Sequence, residues 1–333
     1  MSEQSGGGDA QTRRSVSGLM GGDAPSRQGV SERTGGSDAP TRRGVHERLT
    51  GLPPGGPPAF DPRRTLRLRV EFSRQLRRRR TQFALLVLLV LPILVALAFK
   101  LGGSNSRSDG GVALVDFATT GAANFALFTE FAAVGFLLVV IVALFCGDTV
   151  ASEASWASLR YLLAMPVPRS RLLRQKLIVA LSLSLGAHIL LPAWSLVVGD
   201  VFFGGAPARS PLGGTFSFGE SMWRLAIVVA YSFGQALLVA SLAFLLSVCV
   251  DNPLGAVGGS VLLVVVSNIL DQITALDPYR RFLPTHFQYS WLDALSPTVV
   301  WDDMLRGTGL ALIYASVFFA IAWLRFDRKD ITS

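Results

Sequence analysis

The sequence predicts an all-α polytopic membrane protein of six transmembrane helices with both termini in the cytoplasm. Three observations predict it. Half of the 333 residues are hydrophobic and only 16% are charged; the mean hydropathy is +0.44; and six mostly apolar windows reach the length of about 17–25 residues that crosses a bilayer. The windows are 82–99, 123–146, 177–198, 225–250, 253–270 and 308–324. Cys146 and Cys249 sit at the ends of apolar runs, as small buried hydrophobes rather than as a disulfide framework.

The chain begins with a polar, basic segment, residues 1–62. Residues 6–50 repeat degenerately as GGGDAQTRRSVSGLM, GGDAPSRQGVSERT and GGSDAPTRRGVHERLT. No copy has the apolar residues for a core, so a disordered cytoplasmic tail is expected. No apolar stretch follows the N-terminus, which excludes a signal peptide reading. LPPGGPPAFDP (52–62) reads as a stiff linker. Residues 63–81 contain RTLRLRVEFSRQLRRRR, with Leu68, Phe72 and Leu76 recurring on one helical face among arginines. That pattern suits a helix in the headgroup layer leading into the first span; plain positive-inside anchoring is the alternative.

Residues 82–329 are expected to form the six-span domain. The first 80 residues hold 16 arginines and 8 acids, so the net charge of +8 resides there. It abuts a membrane span, which makes lipid headgroups a nearer partner than nucleic acid. A cytoplasmic tail also puts the 147–176 loop and the C-terminus inside, and that side then collects 24 of the 31 basic residues. The arginine, alanine and glycine bias hints at a GC-rich genome. The expected location is the plasma membrane, that of a bacterial cell. Pro92 and Pro192 fall inside spans and should kink them. Gly255 and Gly259 form a GxxxG suited to close helix packing. Glu130, His188 and Gln235 are the polar candidates for lining a pathway; the plainer role is snorkelling for Glu130, near the outer end of its span, and interhelical hydrogen bonding for His188 and Gln235. The segment 271–307 is rich in aromatic residues but has no clean span, and short re-entrant or interfacial helices are expected there.

The sole sizeable inner loop is EASWASLRYLLAMPVPRSRLLRQK (153–176). Asp148 or Thr149 could cap a helix running to Met165, where Pro166 stops it. Trp156, Leu159 and Leu163 would share one face, with Glu153 and Arg160 on the polar side, their charge displayed to the cytosol. The spacing fits an interfacial helix with no further role equally well. At these residues the chain resembles the permeases of type-2 ABC exporters. Glu153, Leu159, Leu162, Leu163, Pro166, Val167, Arg169 and Lys176 match that family's loop signature. Ala157-Ser158 departs from its Gly-Thr pair, and Arg174-Gln175 departs just before the lysine. The resemblance covers about residues 64–329. It implies that Glu153, Trp156, Leu159, Arg160, Leu163, Pro166 and Arg169 belong to a coupling helix that docks on a separate ABC ATP-binding subunit, with the VDNPLG turn (250–255) a lesser contact. It further implies export, with a second permease copy or a paralogous permease as partner.

The remaining chemistry is defined by what is missing. None of Lys100, Lys176 and Lys329 follows a glycine, so no P-loop is present, and ATP would be bound by a partner chain. HERLT (46–50) has Thr50 where a zincin motif needs histidine, and no Cys/His cluster suggests a metal. Neither a cofactor nor a catalytic residue is expected. Two other classes stay open: a membrane enzyme acting on lipid through Glu130, His188 or the outer Asp271-Gln272 and Asp302-Asp303 pairs, and a scaffold whose basic tail holds lipid or a partner. The residues do not name a substrate.

Overall fold

The computed structural model describes residues 68–102, 116–155, 169–206, 208–209 and 214–328. The chain divides into two units, Met1–Phe60 and Asp61–Ser333, and every described residue lies in the second. The repeats and linker of the tail fall outside the described residues.

The elements are α1 (Leu68–Leu76), α2 (Arg79–Gly102), α3 (Ala122–Val134), α4 (Leu137–Ser155), α5 (Arg169–Phe203), β1 (Ala208–Arg209), β2 (Thr215–Phe216), α6 (Phe218–Cys249), α7 (Pro253–Asp271) and α8 (Asp302–Asp327). Three 3₁₀ turns lie between α7 and α8, at Thr274–Leu276, Tyr279–Phe282 and Ser290–Leu295. Five helices, α2, α5, α6, α7 and α8, are long and apolar enough to cross a membrane. The protein is therefore a mostly helical, multi-pass membrane protein.

The expected second span, 123–146, is not one straight helix. It is divided at Gly135 and Phe136 into α3 and α4, bent by 58°. Apolar composition alone does not report this, because hydropathy scores side chains and not the backbone ladder. The expected 63–81 helix is also divided. α1 ends at Leu76 and α2 starts at Arg79, so the arginine run straddles a break. Phe72 and Leu76 pack on a core made by α2, the end of α3, α4 and α5, while Leu68 remains 47% exposed.

Both proline-containing spans stay helical through Pro92 and Pro192. Trp194 of α5 donates its indole N–H to the Leu89 carbonyl at 2.9 Å, in the turn that Pro92 deprives of a backbone donor. α6 and α7 form the tight hairpin expected. Asn252 caps α7 by accepting from the Leu254 N–H at 3.0 Å, and Pro253 fits the first turn.

The principal core joins α4, α5, α6, α7 and α8 through residues such as Val142, Leu173, Phe244, Val264 and Phe326. Close approach is made by glycines other than the expected pair. A Cβ on Gly147 of α4 would lie 3.0 Å from Val257 Cγ2 and 3.3 Å from its backbone nitrogen, so α4 and α7 meet there. Gly255 is exposed, and a Cβ on Gly259 would touch only Leu246 of the neighbouring hairpin arm, at 3.3 Å. The GxxxG thus does not make the α4–α7 contact. The β1–β2 ribbon, the one departure from an all-α chain among the described residues, pairs Ala208 with Phe216 and Arg209 with Thr215.

Candidate functional site

Two polar clusters interrupt the apolar bundle. The first lies where α1, α4 and α5 meet. Asp148 of α4 accepts from Arg78 Nη1 and Arg80 Nη1, each at 2.7 Å, and Arg78 also reaches Ser152 Oγ at 3.3 Å. Near the end of α4, Glu153 Oε1 accepts from Lys176 Nζ at 2.5 Å and from Arg74 Nη2 at 2.6 Å. Glu71 completes the cluster, 3.7 Å from Lys176 and 3.4 Å from Arg74. Glu153 is 4% exposed and Lys176 3%. Desolvating two ions costs several kcal/mol each, so the arrangement stands only because each charge meets an opposite one at hydrogen-bond distance.

This placement corrects two expectations. The helix does not begin at Asp148 or Thr149; it runs unbroken from Leu137 to Ser155, and the Thr149 hydroxyl donates back to the Cys146 carbonyl. Glu153 is not displayed to solvent. Its partners come from α1 and α5, and sequence reading had placed the α1 arginines against lipid. Trp156, Leu159, Arg160, Leu163 and Pro166 lie outside the described residues, and Arg169 opens α5. What the structure does show is that Glu153 and Lys176, 23 residues apart, close the base of that segment.

The second cluster is at the broken span. Of Glu130, His188 and Gln235, chosen from sequence as polar residues inside spans, the last two share a cavity wall, and Glu130 is joined to it through Ser232. Glu130 is fully buried and accepts from Ser232 Oγ at 2.8 Å. Ser232, His188 and Gln235 line one cavity of about 30 Å³, with Val134, Leu138, Val264, Thr285 and Gln288 among its other walls. That volume has room for one or two waters. His188 is 1% exposed, and its Nδ1 lies 2.8 Å from the Ser184 carbonyl. A carbonyl only accepts, so Nδ1 carries a hydrogen.

Sequence reading missed Gln288. It comes from the aromatic segment after α7, is 6% exposed, and donates Nε2 to the Val134 carbonyl at 3.0 Å. The break after Val134 frees backbone carbonyls at the end of α3, and Gln288 satisfies one of them. Two signals were present: the glycine inside the second window, and a lone glutamine among aromatic residues. Tyr289 beside it sits against the break, so a Cβ on Gly135 would lie 2.5 Å from its hydroxyl.

The 3₁₀ segment is fixed from α6 by Arg224, which stands immediately before the apolar window 225–250. Arg224 is 4% exposed and donates to the carbonyls of Ala294 at 2.6 Å, Ser296 at 2.5 Å and Pro297 at 3.1 Å. It also pairs with Glu220 at 2.8 Å and lies 3.9 Å over the Phe216 ring. Desolvation raises the Tyr289 phenol above its usual value. Asp293 is also raised, first by desolvation and then by the nearby Asp303 carboxylate. Short interfacial helices were expected here. The structure has 3₁₀ turns with Tyr279 and Phe282 exposed, but Trp291 is buried at 1%. A larger cavity of about 490 Å³ opens between the start of α3, the end of α5 and the start of α6, with Asp200, Ser217 and Ser221 on its walls.

Among the described residues no three His, Cys, Asp or Glu side chains gather as a metal cluster. Comparison with known proteins corrects the resemblance to type-2 ABC permeases. The family profile that matches, over residues 93–332, is described as "Protein of unknown function (DUF2705)". A relative, "Uncharacterized protein YhcI" of Bacillus subtilis (strain 168), is 26% identical over 237 residues, covering 69% of this chain and 72% of its own. The loop signature that carried the resemblance was short, and it already departed at Ala157-Ser158 and Arg174-Gln175. Two of its anchors, Glu153 and Lys176, are accounted for by pairing with each other. Since the matching profile spans well over half of the sequence, the chain belongs to the DUF2705 family of proteins of unknown function.

Proposed function

We propose that this protein is the transmembrane subunit of a transporter driven by ATP hydrolysis in a separate chain. The observation that carries the reading is the buried Glu153–Lys176 pair at the base of the 154–175 segment. A lever works only if its two arms cannot splay. The pair ties α4 to α5, and Arg74 ties both to α1, so a push on the intervening segment moves three helices as one body. The chain has no Gly-Lys pair for a P-loop, so the energy must come from elsewhere. In this reading the α1 end of the bundle faces the cytoplasm, following arginine placement, and the membrane is the plasma membrane of a bacterium. The ATP-binding subunit docks on the 154–175 segment, and a second copy or a paralogous subunit completes the path for a substrate moved outward.

Co-purification from the native membrane for a P-loop ATPase, followed by reconstitution with it, tests the proposal. Hydrolysis should respond to the membrane subunit, and Glu153→Gln should weaken that response while leaving membrane insertion intact. An ATPase that neither binds the protein nor changes its rate in its presence would overturn the reading.

A further inference from the structure

We propose that the break between α3 and α4 builds a binding site for one dehydrated alkali-metal cation, held by Glu130, Ser232, Gln288 and the carbonyl end of α3. The inference rests on the bundle itself and goes beyond the transport reading, since the site would bind whether or not a separate ATPase drives the protein.

Four observations converge. First, Glu130 sits in the last turns of α3, fully buried, with Ser232 Oγ on Oε1 at 2.8 Å and no hydrogen-bond partner on Oε2. A carboxylate inside a membrane bundle is costly unless a positive charge meets it. The walls of the adjoining cavity carry no Lys, Arg, Asp or Glu, and His188 is their sole titratable side chain. Its Nδ1 is spent on the Ser184 carbonyl, and it makes neither a hydrogen bond nor an ion pair with Glu130.

Second, Gln288 spends its Nε2 on the Val134 carbonyl, which leaves its buried Oε1 without a partner. That oxygen and Ser232 belong to the walls of the same cavity. Third, α3 ends at Val134, whose carbonyl accepts from Gln288 and keeps a second lone pair, and a helix C-terminus is the negative end of its dipole. Broken membrane helices place such ends at cation sites for that reason. Fourth, the cavity of about 30 Å³ is far too small for an organic ligand. Its wall is mostly apolar, and the groups named here that could hold an ion (a carboxylate, a hydroxyl, an amide oxygen and a backbone carbonyl) are oxygen ligands, which suit a hard cation. One carboxylate matches one positive charge.

The full-length protein in lipid nanodiscs provides the test. Its thermal unfolding midpoint is measured in NaCl, KCl and choline chloride at equal ionic strength and fixed pH, and the NaCl and choline series are repeated across pH. Alkali-cation salt should raise the midpoint over choline, in a saturable way. Glu130→Gln should abolish the rise, and Ser232→Ala should weaken cation affinity by about ten-fold, the equivalent of one lost ligand. Ser232→Ala serves alone if the Gln variant does not fold. Equal midpoints in all three salts would overturn the proposal, as would a rise that survives Ser232→Ala undiminished. A midpoint that follows pH but ignores the alkali cations would mean that a proton neutralises Glu130, and the cation site would fall.

Discussion

At the residue scale, the buried charges make the sharpest predictions. Glu153→Leu strands Lys176 in an apolar setting with only Glu71 nearby, at 3.7 Å, and should cost about 3–5 kcal/mol. Replacing both partners, Glu153→Leu with Lys176→Met, should cost less than either single change, because no unpaired ion remains. Denaturant unfolding of the four proteins in detergent measures the coupling. Asp293 gives a pH signature. Its folded value lies above the ordinary 3.8, so folding disfavours its ionised form. The resulting destabilisation is present above the folded value and disappears as pH falls through it toward 3.8. Asp293→Asn should therefore raise the unfolding midpoint near neutral pH, with the gain fading in acid. The sequence marked Glu130, His188 and Gln235 because polar residues inside apolar windows stand out. It hid Arg224 and Gln288, because a polar residue in a loop looks the same whether it faces water or caps a carbonyl far along the chain.

At the element scale, spans were legible wherever a helix stays straight and apolar. The ends of α6 and α7 could be placed within a few residues from the Asp251-Asn252-Pro253 turn. The break at Gly135 was not legible. It depends on Gln288 and Tyr289 arriving from more than 150 residues away to satisfy and fill it. Helix contacts were misread for a related reason: a glycine motif advertises a smooth face, but only the partner helix decides whether the face is used. Gly147→Ala should overpack the α4–α7 crossing and cost about 1–3 kcal/mol, whereas Gly255→Ala should stay within about 0.5 kcal/mol. Gly307 offers a second check. A Cβ there would lie 2.5 Å from both Phe287 Cβ and the Tyr231 hydroxyl, so Gly307→Ala should loosen the start of α8 from the 3₁₀ segment. Hydrogen exchange over 282–310 reads that loosening.

At the scale of the whole molecule, hydropathy was enough to class the protein as a multi-pass membrane protein, and the structure adds which helices share a core. Sidedness is checked with single thiols in a background where Cys146 and Cys249 are replaced by serine. Ser155→Cys at the end of α4 and Tyr279→Cys before α8 should react with an impermeant maleimide from opposite faces of oriented vesicles, Ser155→Cys from the cytoplasmic one. The loop signature misled because eight residues in a short stretch weigh little against a profile that matches residues 93–332. The charged node also leaves a trace that an evolutionary comparison can look for. Asp148 answers two arginines, and Glu153 answers a lysine and an arginine. A cousin that has traded either acid for a neutral side chain ought to have given up a cation at position 74, 78, 80 or 176 in the same lineage, so these positions should change in concert, not one at a time.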